Sequence, residues 1–578
     1  MWSTEPWKAT SPSASLTWRT SSPRGGGDMA KLQKVDVVVV GAGASGSVYA
    51  AVLAKAGKKV VVLEQGPDWK LSDLVSSDFW GRRIKTAGAP FLLEGRNPMG
   101  YAYQSGWGVG GAALHYFANF PRLLPNDFKV KSEHNRGLDW PISYKDVAPW
   151  YDKVARDVGV SGDAKAEEIW RPAGAPYPMP PIETFRNVDI WLKGFESVGI
   201  RMVPAAVGMN STAYKGRPAC IYDGWCHVGC PTGALSNPIV TYLADARKAG
   251  AEVRAWSTVT RVLTDAKGDR VTGVEYHDRK KEKQFQPASA VVLAAWSAQN
   301  PRILLNSANG RHPKGLANRS GLVGKYMMTH YASGTWAIFD ENVENHMGTT
   351  GAQYMSYDRY GKTSHKGAFG SSFIVAGSAL KTSDLGGFAN ARLDLFGADL
   401  HAFMKRAARG LTRINAFGEE MPNADNRVEL AGDKDEFGMP LGRIIHSYDE
   451  DVARVWNAQL RGRPQDRQCR GRQGILVRAR EHPDDPPDGR NHHGLRRRQL
   501  SGRQLRPGAR DRQSLRRGAG DISDIGRVES DLHHPRPFAA RRRAAFSEME
   551  NGRRVNAAVA GHLLMLDAVQ RSSASRMF

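Results

Sequence analysis

Val35-Asp-Val-Val-Val-Val-Gly-Ala-Gly-Ala-Ser-Gly46 is the stretch whose reading decides the fold. Val37 to Val40 is an unbroken β-branched run, stiff at the first side-chain torsion and suited to a parallel strand buried on both faces. Gly41, Gly43 and Gly46 follow at once, and an amphipathic helix is predicted to about Ala56, with Gly57 as its C-terminal cap. A second strand, Lys59 to Leu63, ends at Glu64. The whole is a strand, glycine turn, helix and strand, with its acid about twenty residues beyond the turn. Gly41 permits the tight turn, Gly43 lets backbone N–H groups approach a pyrophosphate, and Gly46 lets the helix pack on the sheet. The helix N-terminus favours phosphate charge, and Glu64 is placed to accept from ribose hydroxyls. A lone glycine fingerprint would be weak; the complete unit reads as a dinucleotide site, though it does not separate NAD from FAD.

The chain has 578 residues, 41% hydrophobic and 24% charged, the composition of an ordinary globular protein of two or three domains. It contains no run of about 18 apolar residues that would read as a membrane-spanning helix. Met1 to Asp28 is rich in Ser, Thr, Pro and Gly without an apolar core, so it is not a secretory signal as written. Met29 stands just before the first strand and reads as the true start, leaving 1–33 as a disordered or mis-assigned leader. The net charge of +23 invites a nucleic-acid reading, but its distribution argues against one. From Arg461 to Phe578 there is no Lys, Tyr or Trp, and 26 Arg stand against 13 acids, which supplies about half of the excess. A nucleic-acid surface mixes Lys with Arg and interleaves aromatics.

Three of the four cysteines, Cys220, Cys226 and Cys230, fall in one eleven-residue window, and Cys469 lies in the Arg-rich tail. Clustered thiolates suit an iron–sulfur cluster or zinc. Zinc normally takes four ligands, and His227 could complete such a site. A three-iron cluster needs only three thiolates, and the closing Cys230-Pro231 is similar to ferredoxin-type runs. Cluster, zinc and buried free thiols all remain open on spacing alone.

A second glycine-rich stretch runs Ser105-Gly-Trp-Gly-Val-Gly-Gly-Ala-Ala-Leu-His-Tyr-Phe-Ala-Asn-Phe-Pro-Arg122. Further motifs are Asp139-Trp-Pro-Ile-Ser-Tyr144, Asn300-Pro-Arg-Ile-Leu-Leu305 within Ala288 to Ser307, Gly321-Leu-Val-Gly-Lys325 and Asn426-Arg-Val428. In this order, over roughly Val35 to Trp456, they resemble the glucose–methanol–choline (GMC) oxidoreductase family. The resemblance implies an α/β fold: a doubly wound, Rossmann-like FAD-binding domain (34–140 and 220–330) with an interleaved α+β substrate domain on an antiparallel sheet (141–219 and 331–456). It implies FAD, with Gly110 and Gly111 against the flavin, Asn119 near the isoalloxazine ring and the Val259 backbone on the adenine side. His115 stands where some members attach the flavin covalently and others keep an unattached histidine; both readings stay open.

The cysteine spacing also resembles the large subunits of bacterial membrane-linked dehydrogenases of glucose, fructose or gluconate. That resemblance implies a 3Fe-4S cluster on Cys220, Cys226 and Cys230, and oxidation of the CH–OH group of a sugar or related alcohol. Electrons would go to a cytochrome c subunit, and a small companion subunit would carry the export signal. The location implied is periplasmic and membrane-associated by co-export, or cytoplasmic if there is no partner. An oxygen-using oxidase and an FAD-binding pseudoenzyme are the alternatives.

The family's catalytic His and Asn lie near the C-terminus, and after Trp456 neither motif is present, so no catalytic residue is in frame. Glu481 to Gly494 reads EHPDDPPDGRNHHG. With suitable synonymous codons, Asp484 to Gly494 read one base later gives Thr-Thr-His-Leu-Met-Gly-Gly-Thr-Ile-Met, the missing His motif. Ser523 to His534, shifted likewise, gives Pro-Thr-Ser-Gly-Gly-Ser-Asn-Pro-Thr-Phe-Thr, the missing Asn motif. Between them Leu505 to Gly520 decodes to a Tyr-Gly turn and Asn-Leu-Phe-Val-Ala-Gly-Pro-Gly, a final strand. Both motifs share one frame in the right order. The expectation is a frameshift between about Asn457 and Arg463, with 457–578 an out-of-frame tail. His492, His493, His533 and His534 are then neither metal nor catalytic residues.

Overall fold

The four valines of Val37–Val40 are buried, and in the computed structural model they form the C-terminal two thirds of β1 (Val35–Val40). The structure describes residues 32–85, 91–99, 106–461 and 475–478. The leader before Leu32, Met29, Cys469 and most of the tail read as out of frame lie outside the described residues. Helix α1 (Ala44–Lys55) follows β1, and Gly57 ends it with φ +77° and its N–H on Ala54 O at 2.9 Å. The second strand, β2 (Val60–Leu63), is buried throughout.

Parallel pairing aligns Val37 with Val60 and Val40 with Leu63. On its other side β1 pairs in parallel with the second half of β8 (Lys283–Leu293), Val35 against Ala288 and Val40 against Leu293. Strand β5 (Glu252–Arg254) extends the parallel layer beside β2. A meander of β6 (Thr258–Thr264) and β7 (Val271–His277) joins the first half of β8 antiparallel, giving the order β5-β2-β1-β8-β7-β6. Apolar layers cover both faces: α1 with Leu243 and Ala246 on one, and Val259, Tyr276 and Ile303 on the other. This is the doubly wound architecture expected from the first motif.

A second sheet is antiparallel where β9 (Tyr331–Ile338), β12 (Leu411–Gly418), β11 (Ser372–Ala376), β10 (Tyr354–Ser356) and β4 (Val203–Pro204) pair. Strand β15 (Ile475–Arg478) adds to it on β9. A third, three-stranded sheet pairs the hairpin β13 (Arg427–Lys434) and β14 (Pro440–Ile445) with β3 (Phe91–Glu94). The segment 427–445, read from sequence within the substrate stretch, is thus stitched to a strand of the first FAD stretch. The helix Glu450–Arg461 packs Val452, Val455 and Trp456 on Tyr331, and Ser333 donates to Gln459 Oε1 at 3.1 Å. Specific packing therefore runs to Gln459, just inside the stretch where the frame is expected to change.

Candidate functional site

The site begins where the two glycine motifs touch. Gly110 has φ +103° and donates its N–H to Ala42 O at 3.0 Å. A Cβ on Gly111 (φ +57°) would lie 3.0 Å from Gly43 Cα. Gly41, at φ +99°, would drive a Cβ to 2.5 Å from Ala294 O, at the end of β8. A Cβ on Gly46 would meet Gly41 O at 1.9 Å, so glycine is what lets α1 sit on the strand. Gly43 is different: its Cβ would meet nothing nearer than 4.0 Å. The backbone there is left open at a helix N-terminus, the arrangement that receives a phosphate.

Glu64 takes part in this assembly more directly than sequence indicates. It is 9% exposed. Its Oε2 accepts the Ala42 N–H at 2.9 Å, and its Oε1 accepts from Gly66 at 3.1 Å and Gly108 at 3.2 Å. One carboxylate thus clamps the first glycine turn, the loop after β2 and the second glycine motif. Two carboxylate oxygens offer about four lone-pair sites, which leaves capacity for a ribose hydroxyl. Val259 is buried on β6 opposite Tyr276, and the nearby Ser257 N–H donates to Glu64 O at 2.8 Å.

His115 ends the short turn Gly111–Leu114 and is 1% exposed. Among the described residues, neither ring nitrogen has a hydrogen-bond partner. Burial, with a lesser contribution from Lys85, lowers its pKa to about 3, so the ring is neutral. A buried imidazole with two unsatisfied nitrogens is rare unless another group is to meet it, and this fits a flavin at the second glycine motif. Asn119, two residues past the neighbouring Phe117, accepts the Ala352 N–H at 3.0 Å. It ties this motif to the loop ahead of β10 in the antiparallel sheet.

Cys220, Cys226 and Cys230 line one cavity with Asp223, Trp225 and Thr232. All three are free thiols. Burial and the neighbouring thiols push Cys220 well above the usual range, and burial with Cys230 and Asp223 raises Cys226 to about 11. Burial disfavours the thiolates of Cys220 and Cys226, which a cationic centre in this cavity would stabilise. Tyr222 N–H lies 3.3 Å from Cys220 Sγ and the Thr232 hydroxyl 3.2 Å from Cys230 Sγ. Among the described residues, no three His, Cys, Asp or Glu side chains converge closely enough for a single metal ion.

The zinc alternative also loses its fourth ligand. His227 Nε2 is 2.6 Å from Asp78 Oδ1, and its Nδ1 is 3.2 Å from the Thr350 hydroxyl. Burial would raise Asp78, but its bonds to His227 and Ser383 outweigh that and hold it well below the usual carboxylate range. The His227 ring stacks on Trp225 at 5.8 Å and lies 6.0 Å from Phe117. The cysteine loop therefore packs against the motif that carries His115. Sequence gave no signal for Asp78 or Thr350, which come from distant segments.

Residues 35–332 match the family model described as GMC oxidoreductase. The fructose dehydrogenase large subunit of Gluconobacter japonicus is 30% identical over 72% of this chain and 80% of its own length. The 2-methyl-1,2-propanediol dehydrogenase of Mycolicibacterium austroafricanum is 29% identical over 73% of this chain and 78% of its own. The gluconate 2-dehydrogenase flavoprotein of Pantoea cypripedii is 25% identical over 74% and 78%. An Aspergillus oryzae formate oxidase shares the fold, with a TM-score of 0.50 at 14% identity over 74% of this chain and 80% of that one. The chain belongs to the GMC oxidoreductases, an FAD-binding family of enzymes whose relatives here include dehydrogenases of CH–OH groups.

Proposed function

We propose that the gene, in its restored reading frame, encodes a dehydrogenase of a sugar or related alcohol that exports its electrons through a 3Fe-4S cluster to a cytochrome-type acceptor. One observation carries the reading: Cys220, Cys226 and Cys230 line a single cavity, and the loop holding them packs through His227 onto Phe117 of the second glycine motif. FAD held at the two glycine motifs would supply hydride acceptance, and a cluster on Cys220, Cys226 and Cys230 would supply one-electron transfer. The chain's own residues hold the phosphate-facing turn open at Gly43, clamp it through Glu64, and present a neutral His115 to the flavin. The thiols of Cys220, Cys226 and Cys230 would be the cluster's ligands. The general base that takes the alcohol proton would be the His of the shifted frame, so the chain as written should not turn over.

The similarity to a fructose dehydrogenase large subunit and a gluconate dehydrogenase flavoprotein supports a multi-subunit assembly. We extend it to a cytochrome c subunit and a small signal-carrying subunit that brings this chain to the periplasmic face of the membrane. The test is to sequence the DNA across the codons for Tyr448 to Gly471, express the corrected frame, and measure iron, acid-labile sulfide and cytochrome c reduction. Iron-loaded protein that reduces cytochrome c supports the reading. Hydrogen peroxide production without iron would replace it with an oxygen-using oxidase. A DNA sequence that stands as written would leave a non-catalytic flavin scaffold.

A further inference from the structure

Trp256, in the link between β5 and β6, stands in the left-handed backbone region with φ +54°. A tryptophan meets a Cβ clash there that glycine escapes and asparagine tolerates. Such strain persists only where the surroundings hold it. The Trp256 N–H donates to Gly66 O at 2.9 Å, and the Ser257 N–H donates to Glu64 O at 2.8 Å. Both are backbone bonds, which glycine or asparagine would make equally well, so neither calls for an indole. Core packing does not call for one either. Trp296, with φ +91°, packs in the apolar cluster of Met99, Met327 and Ile444. Trp256 is half-buried and, among the described residues, belongs to no apolar cluster. Its ring meets Trp107 and Arg279. The Trp107 indole stands nearly perpendicular to it at 5.2 Å between centroids, and the Arg279 guanidinium lies 5.2 Å from the ring centre. Trp107 belongs to the second glycine motif and is also half-buried. It lies against Gly66, where a Cβ would come 2.6 Å from Trp107 Cδ1.

The position of this aromatic corner indicates what it receives. Glu64 is the acid placed to accept from a ribose hydroxyl. Its carboxylate also holds the N–H groups of Gly66 and Gly108, which adjoin Trp107 in space and in sequence. The ribose met by such an acid is that of the adenosine half of the dinucleotide, and its purine is bonded directly to it. We infer that the indoles of Trp256 and Trp107 form the corner against which the adenine ring of FAD packs, and that the strained backbone at Trp256 is retained to place an aromatic face there. Arg279 braces the Trp256 ring by a cation–π contact. A purine stacks on an aromatic side chain through its π face, without a need for hydrogen-bond readout. Without the cofactor the strain at Trp256 is uncompensated; with it, contact with the base offsets the strain. The inference rests on FAD binding, which the family carries, and on neither the shifted frame nor the electron route.

The test compares FAD with FMN, which lacks the adenosine half, by equilibrium dialysis of the full-length apoprotein in the reading frame that its DNA establishes. Trp256→Asn removes the indole and tolerates the backbone, and Trp256→Phe keeps an aromatic face. We expect Trp256→Asn to bind FAD about ten- to a hundredfold more weakly than the parent and to bind FMN as the parent does. Its apoprotein should unfold at a thermal midpoint no lower than the parent's, because the strain is gone. Trp256→Phe should recover most of the FAD affinity. A lowered midpoint in Trp256→Asn, or a variant that fails to fold, makes the indole a structural prop and overturns the inference. Equal weakening of FAD and FMN overturns it as well, because the loss then does not follow the adenosine half. A parent that binds neither flavin overturns the FAD assignment itself, and the inference with it.

Discussion

Glu64 reaches back from the end of β2 to accept the N–H of Ala42, inside the glycine turn, at 2.9 Å. It is therefore a hinge pin of the cofactor site before any ribose hydroxyl is considered. Glu64→Gln keeps the shape but turns an amide toward backbone donors. Hydrogen bonds to a buried charge are worth about 1.5–3 kcal/mol. The variant should lose about 2 kcal/mol of stability and at least about tenfold in FAD affinity. Urea unfolding and flavin titration of the corrected-frame protein would check both. Unchanged FAD affinity would reduce Glu64 to a purely structural clamp.

His115 gives a pH dependence of definite sign. Burial lowers its folded-state pKa to about 3, below the ordinary value near 6.5. The unfolded chain therefore binds this proton first as pH falls. The contribution to stability is complete above about pH 6.5 and is lost progressively from there toward pH 3. His115→Leu should flatten the fall in urea-unfolding stability between pH 7 and pH 4 by up to one proton's worth of slope. A variant with the same slope as the parent would show that the ring is already satisfied in solution.

Lys362 is a buried cation held between two carboxylates. Its Nζ lies 2.7 Å from Asp127 Oδ1 and 2.6 Å from Glu419 Oε1, with no side-chain exposure. Burial alone would lower its pKa, but Glu419 and Asp127 outweigh this and hold it above the usual lysine range. Lys362→Met strands two carboxylates and should cost about 3–5 kcal/mol, read as a lowered thermal midpoint. A loss below about 1 kcal/mol would mean that water reaches the cluster.

The cysteine reading separates chemistry from electron export. Cys226→Ser in the corrected frame should retain FAD and reduce an artificial two-electron dye, while iron falls and cytochrome c reduction is lost. Loss of dye reduction together with iron would make the loop a structural support of the flavin site.

The first glycine motif, its strand pair and the acid after β2 were legible because they are local: each is set by residues within one turn or one hydrogen-bond ladder. The helix Ala44–Lys55 and the strand Val60–Leu63 fall within a residue or so of the expected limits. The cysteine window was also visible, since residues on one loop keep their spacing in sequence. What escaped were the partners from elsewhere. His227 looked free to ligate, yet Asp78 and Thr350 hold its ring. The hairpin Arg427–Ile445 looked like substrate domain, yet it pairs with Phe91–Glu94.

The sequence by itself determined an α/β dinucleotide unit, because glycine at Gly41, Gly43 and Gly46 and valine at Val37 to Val40 admit few other backbones. The second glycine stretch and the later motifs, by their resemblance to the GMC oxidoreductases, chose the flavin. Tertiary structure alone decided that Glu64 clamps three segments, that His115 is buried with neither nitrogen met among the described residues, and that the three thiols share a cavity. Each of these depends on which distant segments arrive at a side chain. That is fixed by the burial of apolar surface across the whole chain, and no local pattern records it.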